Sequence, residues 1–211
     1  MMQRFASVLS CSLLVGGVSL SAASDQPTYR GGFLDDGYVS QFDLVVGTRI
    51  LESPFNKKDA IDDEVLSIGL QYQVIGEEWP IGLSLGIDWV EGEGDQVGRN
   101  NEIKGREYRA GVLWPVFHMG RFSIEVVGGL VIYDYELSFP NPNVTGESNT
   151  LINSIEGFGG YAQGAFRYTV GEGVDLFALG RYGFTQVDTA LSNQNENIGG
   201  AQVAVGVGLR F

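Results

Sequence analysis

Three shortages set the first limits. The chain of 211 residues has one cysteine, Cys11, and one histidine, His118, and its 13 Lys and Arg face 26 Asp and Glu. So acidic a balance argues against nucleic acid as a partner, because phosphates call for a basic surface. Past the N-terminal region no segment reaches the roughly 18 uncharged apolar residues of a transmembrane helix.

The N-terminal region reads as a leader rather than as part of the fold. Met1–Ser7 carries Arg4 as its only charge, Val8–Leu20 is mostly apolar, and Ser21-Ala22-Ala23 supplies small residues. That order fits a secretory signal peptide cut after about Ala23, and the apolar run falls short of the roughly 20 residues of a spanning helix. A lipoprotein signal would instead use Cys11, after Val8-Leu9-Ser10, but would leave most of the apolar run on the mature chain. Cleavage after Ala23 removes Cys11, and with it any disulfide, thiolate metal site or cysteine nucleophile within one chain. The loss of Arg4 leaves 12 basic against 26 acidic residues, a net charge of −14 (12 − 26), which suits a protein kept soluble during export. The expected division is a signal peptide at 1–23, a short periplasmic lead at 24–38, Gly- and Asp-rich without periodicity, and a folded unit at 39–211.

What the chain has in quantity is glycine, 31 residues without a collagen-like period. The glycines recur inside apolar segments, which in strands marks bends or close backbone packing. The apolar residues themselves alternate at the strand period of two. In Val65–Ile75, Leu66, Ile68, Leu70, Tyr72 and Val74 share one face, and Ser67, Gly69, Gln71 and Gln73 the other. Eight such segments are predicted: 39–51, 64–75, 81–90, 105–117, 122–135, 155–170, 174–188 and 200–211. Most have the 9–11 residues with which a tilted strand crosses a bilayer. Their connections alternate in length. Gly76–Pro80, His118–Arg121 and Gly171–Gly173 are tight, while Glu52–Asp63, Glu91–Lys104, Glu136–Ser154 and Thr189–Gly199 are long and polar. In an antiparallel meander this puts every long connection at one end, as in outer-membrane barrels with short periplasmic turns and longer extracellular loops.

Alternation leaves open which face is inside, because a lipocalin-like soluble barrel also has eight strands. The polar face decides. It is thin, made of Gly, Ser, Ala and Gln, with few charges of both signs: Asp43, Arg49, Asp88, Glu107, Arg109, Glu125, Arg167, Arg181 and Arg210. Near-balanced charge among small residues suits a narrow interior where opposite charges pair to offset desolvation. The apolar face carries Trp89, Tyr108, Trp114, Phe122, Tyr168, Tyr182 and Phe211 near segment ends, where an aromatic belt would lie. Only a closed barrel lets strands span lipid without unpaired edges. The expected fold is therefore all-β, a closed antiparallel up-and-down transmembrane β-barrel of eight strands, with 39–51 paired to 200–211.

The last residues, Gly206-Val207-Gly208-Leu209-Arg210-Phe211, resemble the terminal insertion signal of bacterial outer-membrane proteins. Gly206, Leu209 and Phe211 match its glycine, hydrophobic and final aromatic, while Val205 stands where that pattern is often polar. The layout of 39–211 is similar to the small OmpA/OmpX-type barrels. The resemblance implies a Gram-negative cell outer membrane as the location, the outer-membrane assembly machinery and outer-membrane lipid with lipopolysaccharide as partners, and no particular activity.

Candidate chemistry is sparse. Lipid-modifying enzymes on eight-stranded barrels resemble this chain in size and use a histidine at the extracellular end, whereas His118 falls in a short turn, at the periplasmic end. No Ser/His/Asp arrangement can be assembled near the outer rim. Glu91, Glu93 and Asp95 form an acidic stretch in the second long connection, and Asp59, Asp62, Asp63 and Glu64 another at the end of the first. Carboxylate oxygens suit Ca²⁺ or Mg²⁺, but the spacing fits no EF-hand and a solvated loop explains it. Lys57 and Lys58 could meet lipid phosphates, and Asn143-Val144-Thr145 matches a glycosylation acceptor of little weight in a bacterium. No cofactor and no metal are expected. The expectation is a non-enzymatic surface protein whose barrel anchors acidic loops for envelope integrity or surface contacts. A narrow, porin-like pore for small solutes or ions is the alternative, followed by a lipid-modifying enzyme and a soluble binder.

Overall fold

Residues that alternate between bulky apolar and small polar side chains take an extended backbone with two unlike faces. The computed structural model describes residues 37–51, 64–76, 79–95, 100–140, 150–188, 195–197 and 199–211, and all of its regular elements are strands. They are β1 (Tyr38–Leu51), β2 (Glu64–Gly76), β3 (Gly82–Asp95), β4 (Asn100–Met119), β5 (Phe122–Pro140), β6 (Thr150–Gly171), β7 (Val174–Asp188), β8 (Asn195–Asn197) and β9 (Gly200–Arg210). The short β8 pairs with β7 in the same register as β9 and continues that strand across a break at 198–199. The segment expected to be a signal peptide (1–23), most of the expected lead at 24–38, Lys57, Lys58, Asp59, Asp62, Asp63 and 143–145 lie outside the described residues.

Each long strand pairs antiparallel with the next, and β9 pairs with β1 from Gln41↔Arg210 to Leu51↔Gly200. Reciprocal bonds between Ser40 and Phe211, N to O at 3.2 and 3.0 Å, extend that seam by one residue. The result is a closed eight-stranded barrel. Partners followed from Gln41 run through Gln73, Ser84, Gly111, Gly129, Tyr161, Gly183 and Gly200, and return to β1 at Leu51. The circuit closes ten residues (51 − 41) above its start, the stagger that tilts the strands of a closed barrel.

The strands run further than the sequence pattern predicts at the end that carries the long connections. β3 reaches Asp95, β4 starts at Asn100, β5 reaches Pro140 and β6 starts at Thr150. Glu91, Glu93 and Asp95 therefore belong to β3, not to a loop. Ladder bonds continue there between residues too polar to show an apolar alternation, from Glu91↔Lys104 to Asp95↔Asn100. At the opposite end the turns tighten. Gly120 (φ 59) and Gly173 (φ 72) hold left-handed backbone that a side chain would strain. His118, expected in a turn, is in β4, opposite Ser123. The register slips between Pro115 and Phe117, where a residue without an N–H cannot keep the ladder.

The two faces are now assigned. Outward-facing Leu66, Ile68, Leu83, Leu85, Val112, Trp114, Leu130, Val203 and Val205 are exposed, while Ser67, Gln71, Gln73, Ser84, Gln163 and Gln202 are buried inside. A soluble barrel would invert this. On β4 the outward residues are uncharged from Tyr108 to Val116. Eight steps of about 3.3 Å, tilted by about 40°, give a band roughly 20 Å tall, close to the apolar belt of transmembrane barrels.

Candidate functional site

The lumen is the most highly organised region. Its walls are built by every second residue of each strand, so side chains from all sides meet in a space about wide enough for them to fill. Of the nine charged residues that the alternation turns inward, eight are buried and Arg210 has a side chain 13% exposed. The pattern missed a tenth, Asp175, which is buried and paired with Arg210. It shares its parity with Arg181 on β7, a signal available in the sequence. With it the described lumen holds five carboxylates and five guanidiniums.

These charges fall into layers. Nearest the long connections, Arg49 is paired with Glu107, which also accepts a hydrogen bond from the Tyr135 hydroxyl. Arg49 donates to the Tyr133 hydroxyl at 3.3 Å and lies over its ring. In the middle, Asp88 takes Arg109 on one oxygen (2.8 Å) and Arg181 on the other. Arg181 also donates to Gln163 at 2.9 Å and Gln202 at 2.6 Å, and Gln202 passes a bond to Ser67 at 2.9 Å. Toward the turns, Arg167 grips both oxygens of Asp43, at 3.0 and 2.6 Å, and donates to Glu125 at 2.6 Å and Gln73 at 3.1 Å. Its guanidinium lies 4.5 Å from the centre of the Phe177 ring. All five cations are arginines, whose planar fork can satisfy several acceptors at once. Desolvating each ion costs several kcal/mol, which pairing and these extra bonds must offset.

Apolar side chains complete the filling. One buried cluster runs from Leu51, Val65, Ile103 and Tyr135 near the long-connection end to Leu113 and Val127 toward the turns, and Val45, Ala165, Phe177, Leu179 and Ala204 form a second. Tyr133 and Tyr135 share the inward parity of Glu125 on β5, a signal that their aromatic character masks. Glycines make space for them: the Tyr133 hydroxyl occupies the place of a Cβ on Gly183, and the Phe177 ring that of a Cβ on Gly206.

Outside, charge begins where the uncharged run of β4 ends. Arg106, Asp134 and Glu156 are cross-strand neighbours on the outer surface, and Lys104 and Glu136 lie one position further out. Lys104 sits 3.6 Å from Glu91 and is also bonded to Glu102, which beside it holds the ammonium above the usual lysine value. Glu91 thus has a lysine partner, and the described residues hold no cluster of three or more potential metal-ligating side chains. His118 is exposed at the turn end. Of the terminal motif, Leu209 and Phe211 face outward and Gly206 lies against Phe177.

A closed barrel with a lipid-like exterior, an ion-paired interior and short turns at one end is a small transmembrane barrel of the outer-membrane type. Solved structures agree. The attachment invasion locus protein Ail of Yersinia pestis matches with a TM-score of 0.53 and 12% identity, over 83% of this chain and 99% of that one. Neisserial surface protein A matches with 0.52 and 12%, over 83% and 97%. OprG of Pseudomonas aeruginosa matches with 0.53 and 10%, over 83% and 96%. At these identities the likeness is one of fold: an eight-stranded barrel of the outer membrane, as in the small OmpA/OmpX-type proteins. No family model and no curated protein matches the sequence.

Proposed function

We propose that the protein is a non-enzymatic outer-membrane surface protein, with the barrel as its membrane anchor and the parts beyond the membrane as its contact surface. The observation that carries this is the filled lumen, in which five carboxylates and five guanidiniums are paired in layers and apolar clusters close the space around them. A conducting path needs a continuous polar passage, and side chains bonded to one another across the lumen close it. The contact surface includes the prolonged β3–β6 hairpins, whose outer face carries Glu91, Lys104, Arg106, Asp134, Glu136 and Glu156 above the apolar band. Its surroundings are outer-membrane lipid and lipopolysaccharide, and the strand ending in Gly206, Leu209 and Phe211 is the segment offered to the assembly machinery. Planar-bilayer recording of the refolded protein tests the reading. Quiet membranes are expected; steady single-channel steps would replace the anchor with a pore. Incubation with labelled lipid A gives a second check, with no turnover expected.

A further inference from the structure

The middle layer of the lumen has a direction. Arg181 can only donate, so its Nε bond fixes the Gln163 side chain with Oε1 toward the guanidinium. Gln163 must then present Nε2 to its other neighbour, and it donates to Gln71 Oε1 at 3.4 Å. That leaves Gln71 Nε2 pointing onward as a donor. From the other side, Asp88 holds Arg181 and Arg109 together, and Arg109 is likewise a donor. Arg109, Asp88, Arg181, Gln163 and Gln71 thus form a ring of contacts that is open at one place, between Gln71 and Arg109. Only Gly86 separates these two along the barrel wall, since it is the cross-strand partner of both.

Unsatisfied donors flank the open place on both strands. Gln71 Nε2 and Arg109 Nε and Nη1 are buried and make no hydrogen bond, and neither does Arg181 Nη2. Flipping the Gln71 amide would set its Nε2 against that of Gln163, and flipping both would set Gln163 Nε2 against Arg181. The polarity imposed by Arg181 therefore cannot be relieved within the ring. Taken by itself the layer is one charge positive, with two guanidiniums on one carboxylate, while the Arg167 layer toward the turns, with one guanidinium on two carboxylates, is one charge negative. Leaving several donors unsatisfied in a desolvated lumen is costly. The partner that matches is a pure acceptor with one negative charge, small enough for a packed interior.

We infer that the lumen holds a single halide-sized anion between Gln71 and Arg109, closing the ring. This goes beyond the anchoring role and does not depend on it. The full chain, refolded in detergent and crystallised with bromide in place of chloride, tests it by anomalous scattering: a bromide peak beside Gln71 Nε2 and Arg109 Nε or Nη1 is expected. In solution, the melting temperature should rise with bromide against gluconate at matched ionic strength. Gln71→Glu places a carboxylate where the anion would sit. That variant is expected to lose both the peak and the bromide dependence, and to melt no lower than wild type in gluconate. A water at this position without anomalous signal would overturn the inference. So would a wild-type melting temperature indifferent to bromide, or a Gln71→Glu chain that melts below wild type in gluconate.

Discussion

The ring of Tyr135 occupies the volume that a Cβ on Gly105 would need. The two are direct partners across β4 and β5, and a methyl group on Gly105 would overlap the Cδ1 edge of the ring and come within 2.9 Å of the Asp134 carbonyl oxygen. Tyr135 is fully buried and its hydroxyl is bonded to Glu107, so the ring cannot swing into solvent. Gly105→Ala should destabilise the folded barrel by about 1–3 kcal/mol, the usual cost of overpacking, read from urea unfolding in lipid vesicles. Gly105→Ala with Tyr135→Leu should recover part of the loss. An unchanged midpoint for Gly105→Ala alone would mean that the ring yields.

Asp88 carries more than a single pair. It is 0% exposed and serves Arg109 and Arg181 together. Asp88→Asn removes the one carboxylate between two buried guanidiniums and should cost about 3–5 kcal/mol, the range for stranding a buried charge. Asp175→Asn should cost less, because its partner Arg210 has a side chain 13% exposed and also donates to Thr169. Equal losses for the two variants in the same unfolding assay would contradict the layered arrangement.

The barrel was legible because a period of two survives wherever lipid and lumen make opposite demands. Ile68 and Gln71 differ in character because they meet different media. The pattern stopped short at Val90 and Tyr135 because lipid no longer selects residues above the band: Glu91 and Lys104 stay in a ladder through backbone bonds that leave no hydrophobic trace. The lumen was half legible. Charged residues on the inner parity stand out, whereas Tyr133, Tyr161 and Phe177 share that parity but have the character of lipid-facing aromatics. Asp175 shows little of its inward placement in the sequence because it lies one residue into β7, against a turn. The pairings themselves, such as Arg167 with Asp43 across 124 positions, follow from the stagger of the closed barrel and could not be read from spacing.

Orientation of the two faces can be tested directly. Spin labels at Ile68 and Val205 should be accessible to a lipid-soluble paramagnetic quencher, and labels at Gln71 and Gln202 shielded from it. Ile68 is 42% and Val205 63% exposed, against 1% for Gln71 and 2% for Gln202. Because a label in the packed lumen could disturb the fold, each variant is first checked for the far-ultraviolet signature of the intact barrel. Reversed accessibility would turn the barrel inside out.

The membrane reading also makes a claim about energy. Val205 lies on β9 between Val46 of β1 and Ala178 of β7, within a patch of apolar outward-facing residues. In water an arginine there would be harmless, since the site is open and nothing packs over it. In lipid the guanidinium must either stay in hydrocarbon or drag water to it. Val205→Arg should therefore destabilise the barrel by about 2–4 kcal/mol in vesicles if it lies near the midplane, against about 0–1 kcal/mol near the interface. Glu136→Arg supplies the second case, because Glu136 faces outward beyond the uncharged run of β4. Measured together, the pair separates depth from mere exposure. A large gap between them is what a bilayer imposes, and two equally mild substitutions would be the behaviour of a barrel whose outer face meets water.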